Sequence, residues 1–218
     1  MPLSAILEAG MRFTVYGHRY GDFIFKNWPL HAGLYDEVLD VLASITDEDV
    51  IREFEKNKRA AKSISQAINT LIKDRLVKKG WESESYIFAE PEYAEMAQHS
   101  GVWRLDFAKD RLCIEVAFNH RSDISWNLIK PTLASELNHV MKAVQCDGGI
   151  IITATKEMKA AGGFDNAVGT YEDYVEYLKP LGQILTAPLM IVGLLAPESF
   201  RIETVSHDRR KVGRVVRL

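Results

Sequence analysis

Asp106 and Glu115, nine positions apart in the segment DFAKDRLCIEVAF (106–118), are the residues most suited to do chemistry. Side chains of an extended chain alternate faces. Leu112, Ile114, Val116 and Phe118 therefore point one way, and Cys113, Glu115 and Ala117 the other. Lys109-Asp110-Arg111 reads as a turn that folds the strand ending near Asp106 back onto the strand carrying Glu115. Two carboxylates side by side at a sheet edge are hard oxygen donors. They suit Mg²⁺, which takes one or two protein carboxylates and completes its shell with water and phosphate oxygens. A glutamate between Ile114 and Val116 would be costly to bury without a partner, which adds weight to a ligand there.

The elements that must hold this pair alternate along the chain. Residues 34–45 have apolar side chains at helical spacing, and Thr46 offers N-cap chemistry for a second helix to about Glu55. Ile64, Ile68, Leu71, Ile72 and Leu76 form the stripe of a helix over 63–79, with Gly80 placed to end it. A short strand is expected at 86–89, then a polar connector over 90–101 with one or two helical turns, then the hairpin 102–118. The pattern next predicts a helix over 125–144 with Pro131 near its first turns, where proline is best tolerated. Gly149–Ala154 is a continuous apolar strand of the kind buried on both faces. A loop over 162–169, a helix over 171–181 and a buried strand over 189–195 follow. Such alternation makes an α/β sandwich, with helix 125–144 crossing between parallel strands 112–118 and 149–154.

A chain of 218 residues without internal repeats or a Pro/Gly/Ser linker fits one domain over 1–218. No apolar run reaches the roughly 18–20 residues that span a bilayer, so no membrane partner is expected. MPLSAILEAG lacks the basic start of a secretory signal. Cys113 and Cys146 make no disulfide framework, so the cytoplasm is the default location. There is no Gly-rich phosphate loop, nucleophile elbow or zinc spacing, which counts against a metabolic α/β enzyme with an incidental acid pair. The net charge of −3 hides a segregation of sign. Between Lys56 and Lys79 lie eight basic residues (Lys56, Lys58, Arg59, Lys62, Lys73, Arg75, Lys78, Lys79) against one acid, Asp74. The tail 209–218 adds Arg209, Arg210, Lys211, Arg214 and Arg217 with no acid. Phosphate contact depends on such local patches more than on total charge.

DFAKDRLCIEVAF resembles the catalytic hairpin of the BglII/BstYI group of type II restriction endonucleases, a branch of the PD-(D/E)xK nucleases. MRFTVYGHRYGDFIF (11–25) is similar to that group's opening strands, AINTLIKDRLVKKGW (67–81) to its helix ending in Lys-Gly-Trp, and APLMIVGLLAP (187–197) to its late core strand. Residues 1–10 would then be an N-terminal extension. The resemblance implies a single α/β/α sandwich with a central mixed sheet and Mg²⁺-dependent cleavage of double-stranded DNA by a homodimer. The expected target is a short palindrome, a GATC-type core among the candidates, and a cognate methyltransferase is expected alongside. It implies Asp106, Glu115 and the backbone carbonyl of Val116 as metal ligands, with Asn69 acting on a water or a carboxylate. DNA contacts would come from the loop Asn119, His120, Arg121, Ser122 and Asp123, from Lys62, and from residues 159–170 including Phe164, Asp165 and Asn166. Helices 34–45 and 126–144 are candidate dimer surfaces. Ala117 departs from the pattern, because the superfamily places Lys there and close relatives Gln or Glu. Three explanations stand open: Asn119, His120 or Glu136 has taken over the role, metal and substrate phosphate suffice, or the chain binds DNA with weakened cleavage.

Overall fold

The computed structural model describes residues 10–57, 60–136, 139–207 and 210–218. Lys58, Arg59 and Arg209, which contribute to the basic patches, lie outside these residues, as do residues 1–9 of the expected extension. Six strands form one mixed sheet in the order β1-β6-β5-β4-β3-β2. They are β1 (Phe13–His18), β2 (Glu82–Tyr86), β3 (Arg104–Lys109), β4 (Leu112–Val116), β5 (Gly148–Ala154) and β6 (Leu189–Leu194). β4, β5 and β6 run parallel; β1 pairs antiparallel with β6, β3 with β4, and β2 with β3.

Alternation along the central strands separates two cores. Ile150 and Ile152 join Leu112 and Ile114 against α2 (Ala32–Ala43), α3 (Asp47–Lys56) and α4 (Ser65–Lys78). Ile151 faces the other way, toward α6 (Ile124–Ser135) and α8 (Tyr171–Leu181). The predicted crossover is present, with α6 between parallel β4 and β5. Thr46 and Thr170 cap α3 and α8, each in a reciprocal capping box with the aspartate three residues on. Gly80 follows α4 with φ of 85°, the left-handed geometry that ends a helix. Among the described residues no helix is long and apolar enough to cross a membrane.

Several expectations give way to local physics. Residues 11–25 are not all strand: after β1 the chain turns through Arg19 and Tyr20, both at positive φ, into α1 (Gly21–Asn27). Gly21 is required there, since a Cβ would sit 2.3 Å from the Leu189 carbonyl oxygen. The strand expected at 86–89 lies earlier, at 82–86. Residues 87–89 instead bond to 141–143, through Ala89 N–H to Met141 O and Ala143 N–H to Ile87 O. That pairing satisfies backbone that a helix to 144 would have used, so α6 ends at Ser135, and Pro131 sits well inside it. The connector 90–101 is almost wholly helical, as α5 (Pro91–Ser100). Lys159 lies in α7 (Lys156–Ala161), ahead of the loop. The basic tail belongs to a hairpin, β7 (Phe200–His207) and β8 (Arg210–Arg217), docked on the loop before α4 through Gly213 N–H to Ala61 O.

Candidate active site

The β3–β4 ladder is regular from Lys109–Leu112 to Phe107–Ile114. One rung further, where the register sets Asp106 against Glu115, the pairing stops. The Asp106 carboxylate takes over and accepts the Val116 N–H at 2.7 Å through Oδ2. On its other side the β2–β3 ladder skips Glu84, the residue facing Asp106, whose φ is 60°. The sheet is thus open on both sides of Asp106. An open cleft of about 170 Å³ fills the gap, lined by Asn69, Lys73, Ser83, Glu84, Asp106, Phe107 and Val116. Asn69 and Lys73 are four residues apart, hence on one face of α4. The far end of the hairpin is pinned by Lys109, whose ammonium bonds Glu37 of α2 at 2.8 Å and the Lys79 carbonyl at 2.8 Å.

Glu115 is 2% exposed. Burial, then the Asp106 charge, pushes its carboxyl up to about 8, while Lys130 pulls the other way. Asp106 is also raised, chiefly by burial. One Glu115 oxygen, Oε2, accepts from the Lys130 ammonium. The other, Oε1, is enclosed without a hydrogen-bond partner. An enclosed, unsatisfied carboxylate oxygen costs free energy unless a ligand completes it. Two adjacent carboxylates with a free oxygen are a donor set for a hard divalent cation, and the residues fit Mg²⁺.

The other sequence candidates divide. Asn69 and Val116 reach the cleft beside Asp106. Asn119, His120, Arg121, Ser122 and Asp123 lie together beyond the end of β4, and Asp165 and Asn166 lie next to them. Arg121 N–H bonds Ala167 O, Gly169 N–H bonds Asn119 O, and His120 bridges Val168. Lys62 is exposed in the loop whose Ile64 N–H bonds Gly162 O. Some of these groups are already engaged. The Asn119 side-chain oxygen accepts from Asn127 at 3.0 Å, the Arg121 guanidinium meets Asp173 at 3.2 Å, and Ser122 bonds Asp123. Phe164 is buried edge-on against Phe118, a core contact that takes it out of the exposed loop face. Arg75 is likewise engaged, with Asp49 at 2.6 Å. Glu136 bonds Thr186 in a hollow with Arg111 and Asp147 at the turn end of the hairpin, away from the cleft. Ala117 packs with Ile124, Leu128 and Tyr174.

Sequence reasoning passes over Lys130 and Asn127, both buried on α6. Their signal is faint but present: two polar residues three apart among Ile124, Leu128, Pro131 and Ala134.

A mixed six-stranded sheet between helices, with a carboxylate pair where its hairpin opens, is the architecture of type II restriction endonucleases. The model of the restriction endonuclease BglII/BglIII family matches residues 13–194. The chain belongs to that family, enzymes that hydrolyse DNA at specific sites. The fold is shared with the crystal structure of BglII complexed with a DNA 16-mer, at 18% identity and a TM-score of 0.62. Free BglII matches at 20% identity and a TM-score of 0.54. Each match covers 95% of this chain and 100% of the other. No curated protein sequence matches this chain.

Proposed function

We propose that this endonuclease is a Mg²⁺-dependent homodimer that cuts duplex DNA at a short palindrome. The observation that carries the reading is the half-satisfied, buried Glu115 carboxylate beside Asp106, which with Val116 lines the Asn69 cleft. Asp106, Glu115 and the Val116 carbonyl would hold the metal, which supplies charge neutralisation at the scissile phosphate and eases formation of the nucleophile from water. Val116 N–H fixes the Asp106 carboxylate. Asn69, across the cleft, presents an amide to the attacking water or to Asp106. Lys73, beside it, offers a cation to the phosphate.

Sequence readout is assigned to the joined loops carrying Asn119, His120, Arg121, Ser122, Asp123, Asp165 and Asn166, with Lys62 on the DNA backbone. Arg121 remains 53% exposed while paired with Asp173, so its guanidinium can be handed from carboxylate to a guanine edge. A two-fold target calls for a two-fold protein. The chain then acts as one nuclease domain, in the cytoplasm, beside a methyltransferase of the same specificity.

Incubation of plasmid DNA with and without Mg²⁺ tests the reading, a GATC-containing palindrome being the first target to try. Discrete fragments only with metal support it. Binding of a defined site without cleavage in Mg²⁺ or Mn²⁺ would replace it by a DNA-binding relative, with Ala117 as the cause.

A further inference from the structure

We propose that Lys130 is a positioning residue of this active site, reaching from α6 to tie together the two strands that carry Asp106 and Glu115. The proposal rests on the nuclease reading above and names a residue that it does not use. A lysine is almost never fully buried unless paired, and Lys130 is 8% exposed. Its ammonium makes two bonds. One goes to Glu115 Oε2 on β4, the other to the Arg104 carbonyl on β3 at 3.2 Å. Arg104 lies two residues before Asp106. The ammonium therefore spans the hairpin on the stretch where the backbone ladder has ended at Phe107–Ile114. It adds a second side-chain tie, beside the Val116 N–H bond to Asp106, where backbone-to-backbone pairing has ended.

The helix that delivers it is itself anchored. One turn earlier on the same side of α6, Asn127 donates to Asn119 at 3.0 Å and to the Tyr174 hydroxyl at 2.7 Å. β4 offers no cation of its own on this face, since Glu115 is flanked there by Cys113 and Ala117. A buried ion pair is weak support for stability, because apolar residues of similar volume serve as well or better. A pair kept at this depth, on a carboxylate whose other oxygen is unsatisfied, is better accounted for by the need to hold that carboxylate in one orientation.

The test compares wild type, Lys130→Met, Lys130→Arg, and the double variant Lys130→Met with Ala117→Lys, which returns an ammonium to the Glu115 face from β4. Single-turnover cleavage in Mg²⁺ is read beside DNA affinity in Ca²⁺ and amide hydrogen exchange of the metal-free protein. Lys130→Met is expected to lower the cleavage rate about 100-fold, the scale of a misplaced reacting group, with DNA affinity unchanged. Its Val116 amide should exchange faster while that of Ile151 does not, a split that general destabilisation would not produce. Lys130→Arg and the double variant should each recover cleavage, and they decide the matter if Lys130→Met does not fold. A folded Lys130→Met enzyme that cuts at the wild-type rate overturns the proposal, as does failure of both cation-bearing variants to cut. If wild type itself binds DNA but never cuts, the nuclease reading falls and takes this proposal with it, a result distinct from either of those.

Discussion

β4 and β5 lie side by side at equal depth, and the register sets Glu115 against Ile151. Ile151 is fully buried among Leu128, Tyr174 and Leu178, in a strand whose seven residues are all buried. Glu115 is 2% exposed beside it, yet meets Lys130 on one oxygen and nothing on the other. Apolar packing plainly serves this layer, because the neighbouring strand uses it throughout. The fold holds a desolvated carboxylate where an isoleucine would sit more comfortably, which is the cost expected if β4 carries the proposed metal site.

The comparison breaks most sharply in activity. Asp106→Ala or Glu115→Ala should lower Mg²⁺-dependent cleavage by about 10³-fold or more with cooperative unfolding retained. A folded Asp106→Ala enzyme cutting at the wild-type rate would falsify the site. Next comes pH. Because burial and the Asp106 charge raise the Glu115 carboxyl toward about 8 against the pull of Lys130, metal should compete with a proton there below that pH. Mn²⁺ affinity by calorimetry should therefore climb up to about tenfold per pH unit toward 8 and level off above, with proton release only on the acid side. A flat profile would mean that Glu115 is already ionised or does not bind metal.

Making β4 resemble β5 is the third trial. Glu115→Leu with Lys130→Met should raise unfolding free energy by about 1–4 kcal/mol in urea while cleavage disappears. A loss of stability would show that the pair is structural after all. The smallest effect is expected at Glu84, held at φ of 60° opposite Asp106. Glu84→Gly should stabilise by about 1 kcal/mol, because glycine tolerates that conformation, and its exposed contact with Arg104 contributes little. Destabilisation would instead rank the side chain above the strain.

Most of the sheet is legible in the sequence because its signals are local. The apolar runs of β5 and β6, the stripe of α4 and the cap at Thr46 need no partner to be recognised. The carboxylate pair is legible for the same reason, since the turn at Asp110 (φ 48°) and strand alternation together put Asp106 beside Glu115. What escapes is set by distant contacts. α6 stops at Ser135 because residues 141–143 bond to 87–89, some fifty positions earlier. The tail forms a hairpin because β7 and β8 pair with each other and dock on Ala61. Lys130 escapes because a lysine in a helix is ordinarily a solvent-facing residue. Its partner is fifteen residues away and on another element.

If the two loops read the target as proposed, the backbone bonds that join residues 119–121 to 167–169 also bear on how such an enzyme can change its specificity. Loops held apart can be lengthened, shortened or exchanged one at a time. Here Asn119, His120 and Arg121 are fastened to Gly169, Val168 and Ala167, so an insertion in either loop shifts the other or breaks the bonds between them. New specificities would then be reached by point substitutions that leave both lengths alone, or by inheriting the two loops as a unit. A laboratory effort to graft recognition from a relative should move both segments together.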